Sequence, residues 1–150
     1  MGDMKFIKIT DLSVCLEILK DFSGCLNSLH QSSQDELLLF ANKFIKSGNF
    51  VIVQNGVDET MGFIAYYAND CVGKNSFISM IAVHPQFRQM HVGSALIDFC
   101  VLDSIAKGMT SVKLEVSKCN VNAQFFYTKK GFVEIGEATS TSLFFKKKCS

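Results

Sequence analysis

The sequence predicts a mixed α/β fold in which helices cover both faces of one mixed sheet. Apolar residues alternate with polar ones in several short β-rich runs and recur at helical spacing in longer ones, in the order βααβββαβαββ. The chain has 150 residues, 48% of them hydrophobic and 14 of them Phe, which is enough material for one substantial core. No Ser/Gly/Pro-rich linker divides it, so we expect a single domain over residues 1–150.

The first part of the chain is predicted to hold a strand, two helices and a hairpin. MKFIKIT is the first strand, and Asp11 is an N-cap for the helix DLSVCLEILKDF. In SSQDELLLFANKFIKSG, Ser33 caps a second helix, Glu36 stands at capping-box spacing and Gly48 supplies a stop. The run NFVIVQNGVDETMGFIAYYAND carries an Asn55-Gly56 turn signal between two β-rich segments, which predicts an antiparallel hairpin.

The second part is predicted to alternate strands and helices before it ends in two strands. NSFISMIAV is a strand, and a helix follows from about Val92 to Ala106. The strand SVKLEVS precedes a helix over roughly Val121 to Lys130. FVEIGE and SLFFKKK are the closing strands.

Composition excludes several classes of function. Fifteen basic and fourteen acidic residues give a net charge of +1, which argues against general attraction to nucleic acid or to an anionic membrane. No apolar run is long enough to span a bilayer, and the N-terminal MGDMKFIKIT lacks the continuous apolar core of a signal peptide. We therefore expect a soluble cytoplasmic protein with neither a nucleic-acid nor a membrane partner.

The cysteines and histidines do not predict a metal site. The six cysteines are scattered without a CxxC pair, so reduced thiols are expected. His30, His84 and His91 do not fall at metal-ligand spacing with one another or with the cysteines, so no metal is expected.

The segment AVHPQFRQMHVGSAL, in which a strand passes through a short loop into a helix, is a candidate anion site. A helix N-terminus directs free N–H groups and the positive end of its dipole at an anion. Arg88 adds a fixed positive charge, and Gly93 and Ser94 are small enough for a phosphate to approach the backbone. A pyrophosphate fits this loop, although any strand-to-helix loop can contain a glycine and a basic residue.

Two motifs resemble those of the GNAT family of N-acetyltransferases. The family's cofactor signature [Q/R]-x-x-G-x-[G/A] is matched by Arg88 and Gly93 in the segment above, with His91 in place of the first glycine. Because histidine tolerates the left-handed region better than most non-glycine residues, we expect His91 to adopt it and the loop to keep its shape at some strain. The stretch LEVSKCNVNAQFFYTKKGF resembles the family's second motif at these positions: Leu114, Glu115, Val116, Asn120, Ala123, Tyr127, Gly131 and Phe132. The two motifs cover about half the chain, and the element order is the order that this family shows.

The resemblance implies a mostly antiparallel sheet and acetyl-CoA as co-substrate, with no metal. Backbone groups of Ile81, Ala82 and Val83 would bind the pantetheine arm as an added strand. The pyrophosphate would be bound by Arg88 and by the amides of the loop and first helical turn, namely Gln89, Met90, His91, Val92, Gly93 and Ser94. Asn120 would fix the pantetheine arm, cap the following helix, or do both.

The resemblance also assigns two catalytic candidates. Tyr127 lies seven residues after Asn120, on the same helical face, and would protonate the departing thiolate. Glu115 would deprotonate the incoming ammonium, directly or through water, whereas the alternative is a solvated charge or one that compensates Lys113. Lys129, Lys130 and the FKKK tail are interpreted as a solvated basic face, and contact with the ribose phosphate of the cofactor is the alternative.

These observations predict an N-acetyltransferase that transfers acetyl to a primary amine by direct attack in a ternary complex, with a backbone N–H near Val83 polarising the carbonyl. The alternative is a non-catalytic acyl-CoA-binding regulatory module of the same fold, which the departure at His91 keeps open. An unrelated nucleotide-binding domain would need a Walker lysine or a GxGxxG sequence, and neither is present. The acceptor's identity stays open, and so does homodimer formation, which is frequent among relatives.

Overall fold

The computed structural model describes residues 3–25 and 33–149. Its helices are α1 (Leu12–Phe22), α2 (Gln34–Ser47), α3 (Val92–Ala106) and α4 (Val121–Lys129), with short 3₁₀ helices at Ser23–Cys25 and Pro85–Phe87. Its strands are β1 (Lys5–Lys8), β2 (Asn49–Gln54), β3 (Thr60–Tyr67), β4 (Asn75–Val83), β5 (Ser111–Ser117), β6 (Val133–Thr139) and β7 (Ser142–Lys148). The predicted order of elements is confirmed. The prediction about His30 lies outside the described residues.

The predicted caps account for where the first two helices begin. The Asp11 carboxylate accepts hydrogen bonds from the amides of Ser13 and Val14, which satisfies two donors of the first turn of α1. Ser33 and Glu36 form the reciprocal capping box at the start of α2. Each helix therefore begins at the residue that its capping sequence specifies.

All described strands form one sheet, in the order β1-β2-β3-β4-β5-β7-β6. Within it, β4 and β5 pair in parallel and the other neighbouring strands pair antiparallel. The mostly antiparallel sheet is thus confirmed, and its single parallel pair lies at the centre.

The helices pack on opposite faces of the sheet, as predicted. Alternate residues such as Phe50 and Phe63 join a buried cluster with α1 and α2, whereas Ile64 and Tyr66 join a second cluster with α3. Strands β2 and β3 are buried on both faces, which explains why their sequences read as nearly continuous apolar runs. Strand β5 alternates buried and exposed residues, so one of its faces remains open near the centre of the sheet.

Two turns differ from the simplest expectation. The β2–β3 hairpin is confirmed, but its loop spans residues 55–59, and Asp58 rather than Gly56 takes the left-handed conformation, with φ 62°. The Asn55 side chain accepts hydrogen bonds from the amides of Val57 and Glu59 and so organises this longer loop.

Gly48 ends α2 in an extended conformation, and a Cβ there would lie 2.5 Å from the Phe44 ring. Close packing, not a left-handed φ, requires that glycine.

Among the described residues no helix is both long and apolar enough to cross a membrane. The five cysteines whose side chains are described are unpaired thiols.

Candidate functional site

The centre of the sheet contains an opening between its two parallel strands. The β4–β5 ladder runs from Asn75↔Ser111 to Ile78↔Leu114 and stops there. Strand β4 nevertheless continues to Val83 and β5 continues to Ser117. The last residues of β4 thus keep β3 on one edge, and no described strand pairs with them on the other.

The direction of the backbone groups along this part of β4 follows from one hydrogen bond. The His84 amide donates to Met61 O at 2.9 Å, so it faces β3. Because N–H and C=O groups alternate between the two edges of a strand, those of Val83 and Ile81 face the opening. Those of Ala82 face β3, and its carbonyl oxygen lies 2.5 Å from where a Cβ of Gly62 would be. Of the three residues predicted to bind an added strand, Ile81 and Val83 have polar groups on the open edge.

The loop after β4 holds two residues in a strained conformation. His91, the N-cap of α3, has φ 62° and ψ 21°, and Gln89 has φ 64°. The left-handed position that a glycine would normally occupy is thus taken by a histidine, which tolerates it better than most side chains. Left-handed residues close together in a loop turn successive amides toward one concavity, an arrangement that binds anions.

The amides of this loop are free. No hydrogen bond to a described residue is found for the backbone N–H groups of residues 89–94, and the first bonded amide of the helix is that of Ala95, which donates to His91 O. They border a concavity of about 260 Å³, lined by Val83, Phe87, Phe126 and most of the loop itself. Arg88 is exposed at its rim and forms no ion pair with a described carboxylate. The loop can therefore bind a compact anion through unpaired donors at a helix N-terminus.

His91→Gly tests whether the imidazole matters beyond its backbone conformation. The His91 side chain is exposed and forms no capping hydrogen bond, so its removal should cost no contact within the protein. Relief of the left-handed strain should leave the free energy of unfolding unchanged or raise it by up to about 1 kcal/mol, and ligand affinity should be at least retained. Chemical denaturation and calorimetry with coenzyme A measure the two effects.

Gln89→Gly is the matched variant, since it has the same backbone conformation two residues earlier. If His91→Gly lost most of its affinity while Gln89→Gly did not, the imidazole would contact the ligand and the strain interpretation would be wrong.

Gly93 lies in the first turn of α3 at the floor of this concavity. A Cβ there would lie 3.5 Å from Phe126 Cζ and 3.7 Å from Val83 Cγ2, which are ordinary contact distances. Packing within the protein does not require a glycine at this position. The space above it is available for a ligand.

Asn120 caps α4, as one of the two predicted roles requires. Its Oδ1 accepts a hydrogen bond from the Ala123 amide at 3.1 Å. Its side chain is exposed, and its Nδ2 donates to no described residue. The capping role is confirmed, and the amide donor remains available for a ligand.

Tyr127 is largely buried beside the end of α4. Its ring contacts Phe126 and Phe132 at centroid distances of 5.2 and 5.7 Å. Phe132 donates its amide to Tyr127 O, and Gly131 between them has φ 92°, so these three positions of the second motif also form the C-cap of the helix. Desolvation by burial raises the pKa of Tyr127 to about 12, so its hydroxyl is protonated at neutral pH.

The Tyr127 hydroxyl has no hydrogen-bond partner among the described residues, and it is not fully buried. Within the described part of the chain, Tyr67 carries the fully buried hydroxyl that has no hydrogen bond. Tyr127 Oη also forms no hydrogen bond with a described residue, but unlike Tyr67 Oη it keeps some solvent exposure. It can therefore still donate to a bound group.

Glu115 lies on the other face of the sheet, in an open cleft of about 570 Å³. Its carboxylate accepts a hydrogen bond from Ser142 Oγ. Lys113 does not compensate it, because the Lys113 ammonium lies 4.1 Å from the centroid of the Phe144 ring. The remainder of the cleft is rich in hydroxyl groups and is formed by Phe77, Ile78, Ser79, Ser117, Thr139 and Thr141.

The composition of this cleft could not be read from the sequence. Its residues come from β4, β5 and the β6–β7 turn, which only the sheet order brings together. Glu115 is the one charged residue among the described residues that line it, so the cleft favours a cation with hydrogen-bonding groups. Over residues 3–25 and 33–149, no three His, Cys, Asp or Glu side chains are arranged to hold a metal ion.

Comparison with known proteins identifies, over most of the chain, the same family that the two sequence motifs resemble. The sequence profile described as the acetyltransferase (GNAT) family matches residues 15–132. A spermidine N-acetyltransferase chimera of Vibrio cholerae and hSSAT aligns with a TM-score of 0.80 at 17% identity, over 97% of this chain and 95% of that chain. An acetyltransferase of the GNAT family from Staphylococcus aureus aligns with a TM-score of 0.77 at 17% identity, over 99% and 100%.

A nourseothricin acetyltransferase aligns over 69% of this chain and 66% of that chain, with a TM-score of 0.62 and 20% identity, so the chain spans just under two thirds of that protein. At these identities the structural likeness shows the fold. A search of curated proteins finds no match.

Proposed function

Because the chain belongs to the acetyltransferase (GNAT) family, we propose that it is an N-acetyltransferase that moves an acetyl group from acetyl-CoA to a primary amine. The amine attacks the thioester carbonyl directly while both substrates are bound. Acetyl transfer in general follows from the family. The donor, the amine acceptor and the residue roles are the proposed part.

The observation that carries the proposal is the continuity between the open edge of β4 and the free amides of the α3 N-terminus. The residues present fit an acyl-CoA. Ile81 and Val83 offer an extended edge for the amide groups of a pantetheine arm. Directly after them, the loop offers unpaired N–H groups and Arg88 for a pyrophosphate. A bound acetyl-CoA supplies the activated acyl group as a thioester.

The residues of the chain then have separate tasks. The Val83 N–H, on the open edge, is positioned to polarise a carbonyl. The protonated Tyr127 hydroxyl donates to the departing thiolate. On the opposite face, Glu115 accepts a proton from the ammonium of the acceptor in the hydroxyl-lined cleft.

Turnover with a panel of amines tests the function. Release of free thiol from acetyl-CoA is measured with amino sugars, amino alcohols, polyamines, free amino acids and peptides, with mass spectrometry of the acetylated product. Amine-dependent thiol release above the rate of hydrolysis is the expected result. Tight coenzyme A binding without turnover on any amine would favour the non-catalytic acyl-CoA-binding module.

Glu115→Gln tests the base on the best acceptor found in that panel. The amide retains an acceptor for Ser142 but cannot take a proton, so kcat/KM should fall by roughly 10²-fold near neutral pH. The loss should shrink as the pH rises, because more of the amine is then already neutral. Glu137→Gln, outside the cleft and paired with Lys118, is the matched control. A loss that does not change with pH would mean that Glu115 only binds the acceptor.

A further inference from the structure

The Lys130 side chain joins the end of α4 to the first two turns of α3. Its Nζ donates to Ser94 Oγ and to Asp98 Oδ1, at 2.7 Å each. Its side chain is 17% exposed. Lys129, in contrast, is exposed and lies over the Phe125 ring. The expectation of a solvated basic face therefore holds for Lys129 and is wrong for Lys130.

The backbone of Lys130 is held from the opposite side. The Lys147 ammonium on β7 donates to Lys130 O at 2.7 Å. Gly131 leaves room for this contact, since a Cβ there would lie 3.3 Å from Lys147 Nζ. Lys130 is thus fixed at its carbonyl by the sheet and at its ammonium by α3, and it has little freedom to move alone.

We infer that Lys130 is a positioning residue that locks the first two turns of α3 to the C-terminal end of α4. The inference rests on the proposed function, in which α3 supplies the amides for the pyrophosphate and α4 carries Asn120 and Tyr127. Among the described residues, the two helices are connected by the side-chain hydrogen bonds of Lys130. The lock sets the spacing between the phosphate-binding and the thioester-binding ends of the site.

If Lys130 bound the cofactor directly, substitution of its partner Asp98 would change coenzyme A affinity in the opposite direction. If the ammonium bound a phosphate of the cofactor itself, Asp98→Asn would release the lysine and strengthen coenzyme A binding. If Lys130 acts through α3, Asp98→Asn weakens one of its two hydrogen bonds to that helix and so weakens coenzyme A binding. The sign of the change in affinity separates the two roles.

The experiment measures coenzyme A affinity by calorimetry for Lys130→Met and Asp98→Asn. Loss of a charged hydrogen bond with a partly exposed partner should raise Kd by about 5- to 20-fold in Lys130→Met, and by less in Asp98→Asn. The double variant should be no worse than Lys130→Met, because both changes break the same lock. Lys129→Met is the matched control, since it removes the same charge from the same helix end, and it should bind like the wild type.

Hydrogen exchange on the ligand-free protein supplies a readout independent of the cofactor. The amides of residues 95–97, which form the first hydrogen bonds of α3, should exchange faster in Lys130→Met than in Lys129→Met. Should Lys130→Met fail to fold, Asp98→Asn and Ser94→Ala carry the same comparison. Wild-type affinity and wild-type exchange in the Lys130 and Asp98 variants would overturn the inference, as would tighter binding in Asp98→Asn. Failure of the wild type to bind coenzyme A would instead refute the proposed function, and the exchange comparison would still test the lock.

Discussion

Gly93→Val is expected to raise the Kd for coenzyme A by roughly 10- to 100-fold while the protein remains folded. The proposed pyrophosphate site depends on close approach to the amides of the first turn of α3. Hydrogen bonds to a charged group contribute about 1.5–3 kcal/mol each, so displacing the phosphate from one of them suffices for a loss of this size.

The geometry around Gly93 explains why folding should survive. The first side-chain carbon meets Phe126 and Val83 at 3.5 and 3.7 Å, without a clash. The two methyl groups of a valine lie beyond this carbon, and we expect them to extend into the concavity of about 260 Å³ that the loop amides border. The substitution therefore fills ligand space and leaves the core unchanged.

Gly93→Ala is the informative companion to this variant. Alanine is a better helix former than glycine by up to about 1 kcal/mol, so the free energy of unfolding should rise. Coenzyme A affinity should nevertheless fall, by less than in Gly93→Val. Calorimetry and chemical denaturation on the same samples measure both. A stable Gly93→Val protein with wild-type affinity would require the cofactor site to be placed elsewhere.

Much of the fold was predictable because local signals agree with the tertiary packing. Asp11 and the Ser33–Glu36 capping box define the helix starts through contacts within four residues of the chain. The left-handed conformation at His91 was predicted from its position in the family motif, and it is confirmed with φ 62°. Such features depend on neighbours in sequence, which a pattern records.

Other features depend on residues that are distant in sequence. The left-handed Gln89 carries no glycine or asparagine signal, and the Lys130 contact joins residues 32 and 36 positions apart. Likewise, Ala82 shares a strand with Val83, but the pairing with β3 turns its polar groups away from the opening. The catalytic and cofactor-binding roles of the other candidate residues remain predictions.

Tyr127→Phe is expected to lower kcat by roughly 10²-fold or more while most of the acetyl-CoA affinity is retained. The change keeps the ring and its contacts with Phe126 and Phe132, and it removes only the hydroxyl. Because that hydroxyl has no partner among the described residues, its loss should leave no protein group unsatisfied. Single-turnover kinetics with a saturating amine measure the chemical step.

The pKa of Tyr127, raised to about 12 by burial, is compatible with this role. An exposed thiol, with a pKa near 8.5, would be a much weaker base than this phenolate. Burial raises the pKa of a thiol as well, as it does for Cys15 and Cys100, so desolvation of the departing thiolate would narrow this difference. Since the folded pKa exceeds the unfolded value, Tyr127 stays protonated, and it should cause no fall in kcat below about pH 10.

The other two tyrosines of the chain provide matched controls for removing a hydroxyl. Tyr66 donates to Asp103 near the C-terminal end of α3, so Tyr66→Phe should cost stability, about 1.5–3 kcal/mol, with kcat nearly unchanged. Tyr67 has a buried hydroxyl that bonds to no residue within 3–25 and 33–149, so Tyr67→Phe should be neutral or stabilising. Neither lies in the helix that carries Tyr127.

The comparison of the three variants separates an acid from a structural residue. If Tyr127 only caps α4 and fills the core, its phenylalanine variant should resemble Tyr67→Phe, with a small change in stability and wild-type chemistry. If it is the acid, the loss should appear in single-turnover rates and should be smaller for acyl donors whose thiol is more acidic, because a better leaving group needs less help. Wild-type single-turnover rates in Tyr127→Phe would exclude the acid role, and the thiolate would then be protonated by water or by the acceptor ammonium.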